Sequence, residues 1–63
     1  MPIVHIEVLE GRDGQQLQAA MSAVTDAVVG SLSVRPDQVR VLVSEVPPTL
    51  WAVAGEPVQP AKP

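Results

Sequence analysis

The first residues alternate in a way that only a strand satisfies. Val4, Ile6 and Val8 fall on one face, and Ile3, His5, Glu7 and Leu9 on the other, with the β-branched Ile3, Val4, Ile6 and Val8 dominating. The pattern predicts a strand over Ile3 to Leu9, closed by the turn-prone pair Glu10-Gly11. The period then changes from two to three-and-four. Leu17, Ala20, Met21, Val24, Val28 and Leu32 form one helical stripe. Asp13 is placed as the N-cap, and Gln16 three residues on completes a capping-box pattern. The helix is expected to run to about Ser33, its last turn weakened by Gly30.

Pro36 disfavours helical geometry at Arg35, so 33–37 reads as a loop. Alternation returns over Gln38 to Val46. Val39, Val41 and Val43 share the face that packs under the helix, and Gln38, Arg40, Leu42 and Ser44 share the opposite one. Strand, helix and strand make a β-α-β unit with parallel strands and a right-handed crossover. Pro47-Pro48 stops the second strand. Leu50 to Gly55 is a short apolar stretch suited to a small hairpin or edge strand, and Pro57, Pro60 and Pro63 keep the tail extended. The expected fold class is α+β, divided into a domain over 1–56 and a proline-rich tail over 57–63.

A chain of 63 residues buries too little surface to be comfortable alone. It has no cysteine for disulfides or a thiolate metal site, and one histidine, His5, is too few for a histidine cluster. Yet 46% of its residues are hydrophobic. Oligomerisation is the remaining way to hide them, and the half-apolar outer face of the sheet is where a second subunit is expected. A net charge of −3 from only four basic residues argues against nucleic acid as a partner. No apolar run approaches a membrane span and the N-terminus lacks a signal-peptide layout, so the expected compartment is the cytoplasm.

Arg12, Arg35 and Arg40 are three of the four basic residues, and arginine grips carboxylates with two prongs. Taken alone, Arg12 reads as a solvated loop residue pairing with Glu10 or Asp13. Arg40, a charge on the interface face of an apolar strand, needs a partner: an intersubunit salt bridge to Glu7 or Glu45, or a bound acid. Glu7 and Glu45 read as solvated or salt-bridged, His5 as a strand residue at a subunit contact, and Trp51 as packing. Pro2 becomes the terminus if Met1 is removed, and its free secondary amine could then carry a proton.

The opening Pro2-Ile3-Val4, the Leu9-Glu10-Gly11-Arg12 turn, the Val39-Arg40-Val41 strand and the Trp51-Ala52-Val53-Ala54-Gly55 segment occur in order. At these spacings, over residues 2 to about 56, the chain resembles the short-chain 4-oxalocrotonate tautomerase family. The resemblance implies a tautomerase fold and a hexamer built as a trimer of dimers, whose sites draw on neighbouring subunits. It implies Pro2 as general base, Arg12 and Arg40 as carboxylate-binding residues, and Trp51 at the aromatic position of the pocket. The expected substrate is a small unsaturated 2-hydroxy or 2-keto dicarboxylate, with no metal or cofactor.

The chemistry agrees with that division of labour. A base moving a proton between carbons must be neutral at working pH, and a free α-amino group titrates at about 8. An apolar setting from Ile3, Leu9, Trp51 and Val53, with the cations Arg12 and Arg40, disfavours the ammonium form. Where the family commonly has phenylalanine this chain has Trp51. Ala52 and Ala54 replace frequent glycines, and Pro47-Pro48 replaces a more flexible, lysine-bearing turn. These departures leave open dehalogenase- or hydratase-like chemistry, a natural-product pathway, or a non-catalytic subunit of an oligomer.

Overall fold

The computed structural model describes residues 1–61. Strand β1 (Ile3–Leu9) and strand β2 (Arg40–Val46) lie side by side and parallel, in a register that sets Ile3 opposite Arg40 and Leu9 opposite Val46. Helix α1 (Gly14–Leu32) makes the crossover between them. Val4, Ile6, Val8, Val41 and Val43 are half-buried, whereas Ile3, His5, Glu7, Arg40 and Leu42 are exposed. The alternation therefore sorts the two sheet faces as the sequence pattern predicts.

Asp13 caps the helix, its carboxylate Oδ1 accepting from the Gln16 N–H at 2.9 Å. At the other end Ser33 adopts the left-handed conformation, φ 55° and ψ 45°, that commonly ends a helix. Leu17, Met21, Val24 and Val28 are half-buried, but Ala20 and Leu32 remain exposed. The stripe continues past the edge of a sheet only two strands wide.

The second strand starts later than its alternation suggests. Pro36–Gln38 form a single 3₁₀ turn, with Gln38 N–H donating to Arg35 C=O at 3.0 Å and Val39 N–H to Pro36 C=O at 3.2 Å. Pro36 presets the φ that this turn needs, so Gln38 leaves the extended ladder. Val39, just after the turn, is the one buried hydrophobic residue among those described.

Beyond β2, the 3₁₀ turn Pro48–Leu50 leads into a small antiparallel hairpin, β3 (Ala52–Val53) and β4 (Glu56–Pro57). Ala54 and Gly55 close it with φ of 52° and 84°, values suited to a type I′ hairpin turn. Val58 N–H donates to Trp51 C=O at 2.8 Å and Gln59 N–H to Pro48 C=O at 3.2 Å, so bonding continues past Pro57.

The single chain does not close on itself. Its radius of gyration is 15.0 Å, against roughly 11 Å for a compact chain of this length. Its accessible surface is 4828 Å², against roughly 3,900 Å² for a folded monomer of this mass. A 19-residue helix spans about 28 Å, so much of the 49 Å long axis is the hairpin projecting from the β-α-β unit. Among the described residues no helix is long and apolar enough to cross a membrane.

Candidate active site

The parallel register gathers part of the expected site at one end of the sheet. Arg40 N–H donates to Pro2 C=O at 3.0 Å, extending the ladder one step beyond Ile3. Pro2, Ile3 and Arg40 therefore share the end where both strands begin. Pro2 is half-buried, while Ile3 and Arg40 are exposed. The Arg40 guanidinium is turned back towards the preceding turn, its Nη1 donating to Asp37 C=O at 2.9 Å and more loosely to Val39 C=O at 3.3 Å.

The remaining candidates stand at the opposite end. Leu9 closes β1, and Glu10 N–H donates to Val46 C=O at 3.0 Å as the strands finish. Gly11, at φ 120°, turns the chain out of the sheet into the Arg12-Asp13 segment, a conformation side chains rarely adopt. Seven strand residues separate Pro2 from this end, a span of about 20 Å at the usual rise per residue. Trp51 and Val53 belong to the hairpin arm that follows this far end. Trp51 is half-buried, and Val53 and Leu50 are 65% and 75% exposed. Within one chain, then, Arg12, Leu9, Trp51 and Val53 do not meet Pro2, and the described residues enclose no pocket.

Sequence reasoning passed over the turn that holds Arg40. Arg35 N–H donates to Gln38 Oε1 at 3.0 Å, and the Arg35 side chain pairs with the Asp37 carboxylate at 3.3 Å. Pro36-Asp37 was the available signal, since proline followed by aspartate favours a tight turn over a plain loop. His5 Nε2 lies 2.8 Å from Ser44 Oγ on the outer sheet face, a link between strands away from the Pro2 corner.

The single β-α-β chain therefore leaves the expected site residues divided between its two ends and the outer sheet face uncovered. Comparison with known proteins identifies the class. The family model described as "Tautomerase enzyme" matches residues 2–61. A solved structure from a study of the 4-oxalocrotonate tautomerase isozymes of Methylibium petroleiphilum is 46% identical, with a TM-score of 0.88 over 90% of this chain and 89% of that one. A heterohexameric 4-oxalocrotonate tautomerase from Chloroflexus aurantiacus gives a TM-score of 0.89 at 34% identity, covering 92% of this chain and 94% of the other. The 2-hydroxymuconate tautomerase of Pseudomonas sp. strain CF600 is 35% identical over 57 residues, 90% of each chain. The chain belongs to the tautomerase family and has the fold of the 4-oxalocrotonate tautomerase homologues.

Proposed function

We propose that the protein interconverts enol and keto forms of small unsaturated 2-hydroxy and 2-keto dicarboxylates, of the 2-hydroxymuconate to 2-oxo-3-hexenedioate type. Pro2 acts as the general base once Met1 has been removed. The observation that carries this is the corner where Arg40 N–H binds Pro2 C=O. A backbone hydrogen bond there fixes the proline against the residue whose guanidinium receives the acid.

The complete site forms between copies of the chain. Two subunits packed head to tail set the Arg12, Leu9, Trp51 and Val53 end of one against the Pro2, Ile3 and Arg40 end of its neighbour. A trimer of such dimers then covers the outer sheet faces. The exposed apolar residues support this: Ile3, Leu42, Leu50 and Val53 are each more than half exposed in the single chain. So does the heterohexameric relative. The proposed assembly is a homohexamer working in the cytoplasm.

In that pocket the free Pro2 amine takes the 2-hydroxyl proton of the bound enol and delivers a proton to a carbon of the conjugated chain, as the C–O bond becomes the ketone. The net change is a shifted double bond and a shifted proton, with no group gained or lost. Arg40 holds one carboxylate and stabilises the negative charge that develops on the enolate oxygen. Arg12 of a neighbouring subunit holds the far carboxylate with its two-pronged fork. Ile3, Leu9, Val53 and Trp51 supply the apolar walls that keep the amine neutral.

The test is ketonisation of 2-hydroxymuconate, followed by ultraviolet absorbance, by protein whose Pro2 terminus has been verified by mass spectrometry. Pro2→Ala should lose on the order of a hundredfold in kcat/KM, the lower range for removing a general base. Arg40→Ala should also lose on the order of a hundredfold, the lower range for removing a donor that stabilises developing charge. Full activity in both variants would overturn the mechanism. A second reading keeps the base and changes the acid. Trp51 is bulkier than the family's usual phenylalanine and sits on the projecting arm, so a screen of related unsaturated acids belongs beside the first assay.

A further inference from the structure

Two of the chain's four basic residues converge on a single acidic one. Arg40 Nη1 donates to the Asp37 backbone carbonyl at 2.9 Å, and Arg35 Nε pairs with the Asp37 carboxylate at 3.3 Å. In a chain of net charge −3 this is a local concentration of positive charge, and it lies at the Pro2 end. The arrangement is not left to floppy side chains. Pro36 and Gln38 fix the turn through the bonds Gln38 N–H to Arg35 C=O, Val39 N–H to Pro36 C=O and Arg35 N–H to Gln38 Oε1. Arg40 N–H in turn binds Pro2 C=O. Arg35, Asp37, Arg40 and Pro2 thus form one continuous hydrogen-bonded corner.

The Arg35–Asp37 pair contributes little as a structural clamp, because both side chains are 76% exposed and open ion pairs add little to stability. An exposed guanidinium held by one carboxylate oxygen is easily transferred to another carboxylate that offers two. Asp37 is therefore placed as an internal competitor, occupying Arg35 until an incoming acid displaces it.

We propose that Arg35 is a specificity-determining residue at the mouth of the Pro2–Arg40 corner, favouring doubly over singly charged acids, with Asp37 attenuating its pull. The proposal rests on the reading that this corner receives an organic acid, and it goes beyond that reading by naming a third arginine and its antagonist. A dianionic acid approaching the corner, before Arg40 and the neighbouring subunit's Arg12 have taken its two carboxylates, presents Arg35 with twice the charge of a monoanion. A monoanionic acid is satisfied by one two-pronged contact.

The experiment measures calorimetric binding of trans-2-hexenedioate and of trans-2-hexenoate to the assembled protein at low ionic strength. Arg35→Ala should weaken the diacid about fivefold, the upper range for one exposed charged contact, and leave the monoacid within about twofold. Arg35→Lys should restore part of the difference, and Asp37→Asn should tighten the diacid. If Arg35→Ala weakens both acids equally or neither, or if Asp37→Asn loosens the diacid, the proposal fails. Ketonisation by the wild type is assayed alongside. Turnover with unchanged discrimination in Arg35→Ala removes only the role of Arg35. Selective diacid binding without turnover removes only the catalytic reading, and a wild type that binds neither acid removes both.

Discussion

Pro2 and Arg40 illustrate how much a single hydrogen bond decides. Their separation along the chain says nothing about proximity, but the parallel register makes them neighbours. Elsewhere the residue scale is set by backbone conformation. Ala54 holds φ 52° at the hairpin tip, where a Cβ is strained and glycine is not. The frequent glycine of the family has been replaced without abandoning the turn. Ala54→Gly should therefore raise stability, by about 0.5–1 kcal/mol after allowing for glycine's greater freedom when unfolded. Thermal denaturation checks this, and a lowered midpoint would show that Ala54 is not strained. Asp13→Ala removes the acceptor of the Gln16 N–H and should cost about 1 kcal/mol. The readout is a lower midpoint with the same folded circular dichroism spectrum.

Among the elements, β2 carries the most information. Its helix-side Val41 and Val43 are half-buried, while Leu42 on the other face is 52% exposed beside exposed Ile3. A leucine and an isoleucine facing water on a sheet need a covering partner. Leu42→Glu should therefore disperse the assembly, seen as a fall in mass by light scattering, whereas the same change at helix-face Ser22, which is exposed, should leave the mass unchanged. If Leu42→Glu keeps the wild-type mass, the outer face is not an interface. The elements themselves were largely legible in advance, because α1, β1 and most of β2 each carry a sustained period. The start of β2 was not. Alternation through Gln38 cannot register that Pro36 has already committed that residue to a turn.

For the molecule as a whole, the excess of accessible surface over a compact monomer is the governing fact. In the proposed assembly a subunit with one buried hydrophobic residue among those described depends on its neighbours for stability as well as for a complete site. The thermal midpoint should accordingly rise with protein concentration, as expected when folding is linked to association. A midpoint constant over a hundredfold dilution would show a self-sufficient monomer. Sequence alone determined the order of the elements, the sorting of the sheet faces and the family, because periodicity and spacing are written locally along the chain. The tertiary structure decided which candidates stand together. Only the strand register brings Arg40 to Pro2, and only the length of β1 sends Arg12 to the far end. Distances across a fold depend on pairing between segments remote in the chain, which no local pattern records.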